Sequence, residues 1–197
     1  MSSFFAWLAR LRLIRRWGLM YSAQPENDAE HSLQVAYLAH GLAVLAKNRY
    51  GKDVDPEHVM ALAMYHDVGE IFTGDLPTPV KHHDRQIRSA YHSMELEALE
   101  RLLTKLPEDM RPEWRPYLLP DETTLEWQLV KAADRISAWT RCMEEMRCGN
   151  LEFRQAGETI RTSIDAIPLP EVQDFMKEFG DSFRFSLDEL EESGEQG

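Results

Sequence analysis

Apolar residues recur every three or four positions through most of this chain, the period of helices that pack along one face. Phe4, Trp7, Leu8, Leu11 and Ile14 form the first such stripe, with Arg10, Arg12, Arg15 and Arg16 largely off it. An amphipathic helix packed on its own domain is the expected result. Asn27 followed by Glu30 predicts a helix start, with a carboxamide cap and an acidic group at the third helical position. His31 falls in the first turn of that helix. From Leu33 to Ala46 almost every residue is apolar, which predicts a helix buried on most sides at the centre of a bundle. Asp55 and Pro56 open the next helix, a capping carboxylate and a first-position proline, and it is expected to run through residue 70. His92, Leu96, Leu99, Leu103 and Leu106 mark another amphipathic helix, ended by Pro107. Thr124 to Arg147 carries Leu129, Ala133, Ile136, Thr140 and Met143 on one face and stops at Gly149 and Asn150. A last helix is expected within 170–180. The fold class is therefore all-α, a single helical bundle.

Composition narrows the reading. At 197 residues, with 43% hydrophobic and 28% charged, the chain is an ordinary globular protein able to bury a core without disulfides or a structural metal. The expected division is a domain over 1–185 and an acidic, flexible tail over 186–197, "SLDELEESGEQG", which has few apolar groups to pack. Lys and Arg number 22 against 34 Asp and Glu, a net charge of −12 that repels polyanions and excludes a nucleic-acid backbone as the natural partner. A small phosphorylated substrate stays possible if positive charge is concentrated locally. The two cysteines, Cys142 and Cys148, lie six positions apart in one predicted helix and are expected to be reduced thiols of a cytoplasmic protein. Arginines interrupt every apolar run of the opening segment, so neither a signal peptide nor a membrane span is expected there.

The stretch "AMYHDVGEIFTGDLPTPVK", residues 63–81, sets His66, Asp67, Glu70 and Asp75 among apolar side chains. A helix continuing through residue 70 would put Glu70 close to both His66 and Asp67. Such residues also occur as helix caps or half-buried histidines, and an HD pair alone is a short motif that chance supplies readily. Asp134, in "VKAADRISAW", is a carboxylate amid small and apolar residues, costly to bury unless it is paired. Lys131 or Arg135 could pair with it. The alternative is that His31, His66, Asp67 and Asp134 converge from three helices on one divalent cation. Two imidazoles with two carboxylates suit Mn, Co, Fe, Ni or Zn better than calcium.

"EHS" at 30–32, "HD" at 66–67 followed by Glu70, and "KAAD" at 131–134 resemble the HD-domain phosphohydrolase superfamily. More narrowly, "RRWGLM", "NDAEHSLQVAYLAH", "HDVGEIFTGDLPTPVK" and "SFRFSLDEL" resemble the bacterial 5'-deoxynucleotidases, in collinear order over most of the chain; residues 107–123 and the tail show little that matches. The resemblance implies hydrolysis of deoxynucleoside 5'-monophosphates to deoxynucleoside and phosphate, with one metal bound by His31, His66, Asp67 and Asp134. Co2+ or Mn2+ is expected, with Zn2+, Fe2+, Ni2+ or Mg2+ as other candidates. Arg16 would orient the phosphate, Trp17 would pack on the deoxyribose and exclude a 2'-hydroxyl, Glu70 would orient the attacking water or assist proton transfer, and Asp75 would bind the sugar or protonate the leaving 5'-oxygen. His31, Asp75, Leu76, Pro77, Thr78 and Lys81 would contact substrate. A homodimer is implied as well. Rival readings are an enzyme of the same fold acting on deoxynucleoside triphosphates and a non-catalytic nucleotide-binding protein.

Overall fold

The computed structural model describes residues 1–77 and 85–193. No β-strand forms among them, and the all-α expectation holds. The helices are α1 (Phe4–Leu8), α2 (Asp28–Tyr50), α3 (Pro56–Tyr65), α4 (Glu70–Thr73), α5 (Arg85–Leu103), α6 (Arg111–Leu118), α7 (Leu125–Arg147), α8 (Arg154–Asp165), α9 (Pro170–Phe179) and α10 (Leu187–Ser193). None is long and apolar enough to cross a membrane.

α2 and α7, the two long helices, pack on each other and on α3, and α8 and α9 close the far side. Val35, Leu38, Leu42, Leu62, Leu129, Ile136, Trp139 and Phe153 fill the space between them. Each such side chain contributes about 1.5–3 kcal/mol by leaving water. A second apolar cluster joins Phe4 and Leu11 to Val68, Leu102, Leu103, Leu106 and Leu118, anchoring the N-terminal segment over α5 and α6. The caps expected from sequence form. The Asn27 side chain accepts from the backbone N–H of Ala29 and Glu30, Asp55 from Glu57 and His58, and Thr124 from Trp127.

Four expectations need correction. The first stripe is not one helix: α1 ends at Leu8, a tight turn spans Leu11–Leu13, and Ile14 turns extended so that Arg15 can bridge to Asn27. Phe4 and Leu11 are still buried, so the stripe was read correctly and the helix was not. Secondly, α3 stops at Tyr65 instead of running through residue 70. The chain tightens there into i→i−3 bonds, from His66 to Ala63, Val68 to Tyr65 and Glu70 to Asp67. On α5, Leu96 and His92 face solvent while Ala98, Leu102 and Leu103 are buried. Finally, Leu33 and Tyr37 on α2 are 60% and 54% exposed, leaving an apolar edge on the helix expected to be covered on most sides. Beyond residue 185, Ser186 and Glu189 cap each other reciprocally and open the short, exposed α10.

One buried polar cluster ties the loop before α2 to the end of α7. Glu145, 1% exposed, accepts from the Ala23 N–H at 2.8 Å and from Asn150 Nδ2 at 2.8 Å, and it pairs with Arg141, which also donates to the Gln24 carbonyl. Burial alone would raise the Glu145 carboxyl, but the Ala23 N–H, Asn150 and Arg141 outweigh it and hold the group below its ordinary 4.5. This stabilisation is complete above pH 4.5 and is lost as pH falls through the depressed value. Glu145→Ala leaves the Arg141 guanidinium with only the half-exposed Glu144 and the Gln24 carbonyl, frees the Ala23 N–H, and is expected to cost about 3 kcal/mol. Urea denaturation at pH 7 measures the cost, and the gap between the variant and the parent protein should shrink as pH falls through the depressed value.

Candidate metal and phosphate site

The site forms where the N-terminus of α2, the tight turn after α3, and the middle of α7 meet. Asn27 capping sets His31 in the first turn of α2, facing inward and wholly buried. The i→i−3 turn presents His66 and Asp67 at the end of α3, and α7 brings Asp134 and Ser137 one turn apart on the same face.

Hydrogen bonds fix the ring orientations. Ser137 Oγ donates to Gln34 Oε1 at 2.5 Å, which uses its only proton, so the 3.1 Å contact with His31 Nδ1 requires the imidazole to donate. His66 Nδ1 likewise donates to the Ala63 carbonyl at 2.7 Å. Both Nε2 lone pairs then turn to a common centre where only acceptors wait. His31 Nε2 lies 3.1 Å from Asp134 Oδ1 and 3.6 Å from Asp67 Oδ2, and His66 Nε2 lies 3.1 Å from Asp67 Oδ2 and 3.9 Å from Asp134 Oδ1. His66 Nε2 is buried and makes no hydrogen bond of acceptable angle. One ligand atom each of His31, His66 and Asp134 can be chosen so that all lie within 4.8 Å of one another.

Lone pairs facing carboxylates repel unless something positive sits between them. A proton can do this. Burial disfavours the imidazolium of His66, but Asp67 and Asp134 more than offset it and raise the group to about 10. A divalent cation meets the same field with more charge, and the two imidazoles and the carboxylates suit a borderline metal. The residues present therefore fit a bound metal. Of the four ligand residues read from sequence, His31, His66 and Asp134 form the compact set. Asp67 adjoins it, with its Oδ2 also held by Arg16 Nη1 at 3.1 Å.

Arg16 is the main positive group at this centre. Its guanidinium lies 3.1 Å from Asp67, 3.5 Å from Glu26 and 3.6 Å from Asp28. Burial opposes its charge, but the surrounding carboxylates, Asp67 and Asp134 foremost, raise it above its ordinary value and keep it protonated. Lys131 donates to Asp134 Oδ2 at 3.0 Å, leaving Oδ1 for the centre; Arg135 is exposed. Trp17 follows Arg16 at φ 58°, packs on Phe153 and donates its indole N–H to Glu26 at 2.8 Å. Glu70 opens α4, is buried, and lies beside Asp28. Asp75, Leu76 and Pro77 are half-buried just after α4, and the Asp75 charge reaches Arg16. Thr78 and Lys81 lie outside the described residues.

Sequence reasoning missed Asp28 and Glu26. Asp28 is fully buried, and burial followed by the Asp67 charge pushes its carboxyl up to about 7, against the pull of Arg16. Its position just after a helix cap is where an exposed carboxylate would serve the helix dipole, so no pattern marked it as inward-facing. Glu26 lies in a loop, where periodicity carries no signal.

An all-α bundle with paired histidines and aspartates around one point defines an HD-domain phosphohydrolase. An HD-domain phosphohydrolase of Listeria innocua superimposes with a TM-score of 0.80 at 24% identity, covering 92% of this chain and 88% of that one. The cyanophage S-2L HD phosphohydrolase DatZ, bound to dA and one catalytic Zn2+ ion, superimposes at 0.61 with 21% identity, over 91% of this chain and 95% of that one. Residues 3–183 match the family of YfbR-like 5'-deoxynucleotidases, and a 5'-deoxynucleotidase of Vibrio parahaemolyticus is 45% identical over 96% of this chain and 98% of its own length. This chain belongs to the YfbR-like 5'-deoxynucleotidase family, a family of metal-dependent phosphohydrolases.

The Ser137 hydroxyl should matter to the metal without touching it. Ser137→Ala frees the His31 ring from its tautomer and orientation, and such outer partners are typically worth 10–100-fold in metal affinity. Equilibrium dialysis against Mn2+ is expected to show a loss in that range, with the helical circular dichroism retained.

Proposed function

We propose that the protein hydrolyses deoxyribonucleoside 5'-monophosphates to deoxynucleoside and inorganic phosphate. The observation that carries this reading is the juxtaposition of Arg16 with the acceptor cluster of His31, His66, Asp67 and Asp134, in a chain of this family. We take these four residues as the metal ligands. A divalent ion bound there supplies Lewis acidity toward a phosphoryl oxygen and toward the attacking water. Co2+ and Mn2+ are the first candidates, followed by Zn2+, Fe2+, Ni2+ and Mg2+.

Arg16 binds the phosphate, two N–H donors of its planar fork meeting two phosphoryl oxygens. The surrounding carboxylates keep its guanidinium protonated, so it offers charged donors to a phosphate inside a protein of net charge −12. Glu70, buried at the head of α4 beside Asp28, takes a proton from the attacking water, and Asp75, nearer solvent, delivers one to the leaving 5'-oxygen. Trp17 covers the deoxyribose and leaves no room for a 2'-hydroxyl. Asp75, Leu76, Pro77, Thr78 and Lys81 complete the substrate contacts, together with His31. The working unit is a homodimer, a reading supported by the exposed apolar edge of Leu33 and Tyr37 on α2.

Phosphate release from dAMP, AMP and dATP by metal-stripped protein, with each metal added back, tests the reading. Release from dAMP with a transition metal, and far less from AMP, is expected. Cleavage of dATP without action on dAMP would overturn the monophosphate assignment. Trp17→Ala is expected to narrow the preference of dAMP over AMP by about tenfold or more, measured as the ratio of kcat/KM values. Asp134→Ala should lose bound metal and activity while keeping its fold, and normal metal content in that variant would remove Asp134 from the ligand set.

A further inference from the structure

Glu26 touches both members of the Arg16–Trp17 pair and reaches a histidine of the metal cluster. Its backbone carbonyl accepts from the Arg16 N–H at 3.1 Å. Its carboxylate accepts from the Trp17 indole N–H at 2.8 Å, lies 3.5 Å from Arg16 Nε and comes within 4.0 Å of His31 Nδ1. The side chain is 11% exposed, so these contacts are made mostly away from water.

Trp17 needs such a partner. At φ 58° it occupies the left-handed region, where a bulky side chain costs about 1–2 kcal/mol and persists only if its surroundings over-determine it. The antiparallel bridge of Arg15 with Asn27 and the bond from Asp28 N–H to the Ile14 carbonyl fix the backbone before it, and the bond from Met20 N–H to the Trp17 carbonyl at 2.9 Å fixes it after. Packing of the ring on Phe153 constrains one side of the indole but does not set its rotation about the long axis. The bond from the ring nitrogen to Glu26 adds a directional constraint to that packing. The same carboxylate faces Arg16 Nε, leaving the terminal nitrogens of the guanidinium directed elsewhere.

We propose that Glu26 is the positioning residue for sugar discrimination: through its carboxylate it holds the Trp17 indole in the strained orientation that excludes a 2'-hydroxyl and steadies the neighbouring Arg16. This rests on the role assigned to Trp17 above. Glu26 itself does not touch the reacting atoms, so its removal acts on which sugar is accepted more than on the chemical step. Loss of the carboxylate releases the indole, while the backbone bonds around Trp17, including that of Arg16 N–H to the residue 26 carbonyl, stay in place. An amide at this position still accepts from the indole but no longer opposes the arginine charge, so the two functions separate in Glu26→Gln.

The test compares Glu26→Ala, Glu26→Gln, Trp17→Ala and Lys52→Ala. The last leaves Glu171 buried without its partner at the far end of α2 and serves as a destabilised control. Two quantities are read: the ratio of kcat/KM for dAMP over AMP, and the indole N–H resonance of Trp17 in a 15N-labelled protein without substrate, assigned with Trp17→Phe. Glu26→Ala is expected to lower the ratio about tenfold or more, and to move the Trp17 indole N–H upfield and speed its exchange. Glu26→Gln should keep the ratio within about twofold and raise KM for dAMP, while Lys52→Ala should lower thermal stability and leave both readouts unchanged. If Trp17→Ala lowers the ratio and Glu26→Ala changes neither ratio nor resonance, the proposal is wrong and the Trp17 reading survives. An unchanged ratio in Trp17→Ala overturns the Trp17 reading itself, whatever the resonance shows. A ratio that falls equally in Lys52→Ala would mark the effect as general destabilisation and also overturn the proposal.

Discussion

The structure turns on an electrostatic demand: two imidazole lone pairs and the oxygens of Asp67 and Asp134 face one another with no donor between them. The demand is created by hydrogen bonds behind the rings. Ser137 and the Ala63 carbonyl each take the Nδ1 proton, and the Nε2 positions are committed before any cation arrives. Without positive charge the arrangement is repulsive, and the rise of His66 to about 10 is the form that repulsion takes when only protons are on offer. A fold that stores such a cluster must have other interactions to hold it. Here the two long helices and the apolar contacts between them do so, with Leu42, Leu129, Ile136 and Trp139 all buried around the same axis.

Where the ligands sit follows from how each helix begins or ends. His31 is placed by an N-cap, His66 and Asp67 by a helix that ends early, and only Asp134 by the interior of a helix. The early end of α3 has a local cause in the i→i−3 bonds, and His66 contributes to it by spending its ring N–H on the Ala63 carbonyl. A regular helix through residue 70 would have placed Glu70 a full turn beyond His66. The tighter winding instead begins a new helix at Glu70 and buries its carboxyl next to Asp28.

Much of this was legible in the residues. The caps at Asn27, Asp55 and Thr124 are local chemistry, and a side-chain oxygen that reaches a backbone N–H two or three residues on needs no tertiary information. The face of α7 was legible too, because Leu129, Ala133, Ile136, Thr140 and Met143 keep one period over about four turns. What failed was continuity. Phe4 to Ile14 keeps the helical spacing, but the chain leaves the helix to pair Arg15 with Asn27, a contact twelve residues distant that spacing cannot encode. α8 and α6 were not foreseen. α8 packs its Gly157 against Met143 and Cys142, so it is defined by its neighbour, and α6 carries an internal proline, Pro116, that argues locally against a helix. The candidate site was legible as a set of ligand types through resemblance to a family. Glu26 and Asp28 were not, because their significance is the partner each meets in space.

The acidic character of the whole chain and the needs of a phosphate pocket are compatible because charge acts by distance. At 0.15 M salt the field of an exposed carboxylate fades within about 8 Å, whereas buried groups are screened far less. Among the described residues Arg16 and Lys131 are each directly bonded to a carboxylate of the cluster. Their charge is therefore balanced until a more strongly charged anion enters. On the proposed assignment a phosphate dianion would offer Arg16 more than the single oxygen of Asp67 does, and would compete with Asp67 for the guanidinium. In the proposed reading Arg16 meets both the substrate phosphate and a metal-ligand carboxylate, and its 3.1 Å bond to Asp67 is the contact through which binding of one would bear on the other.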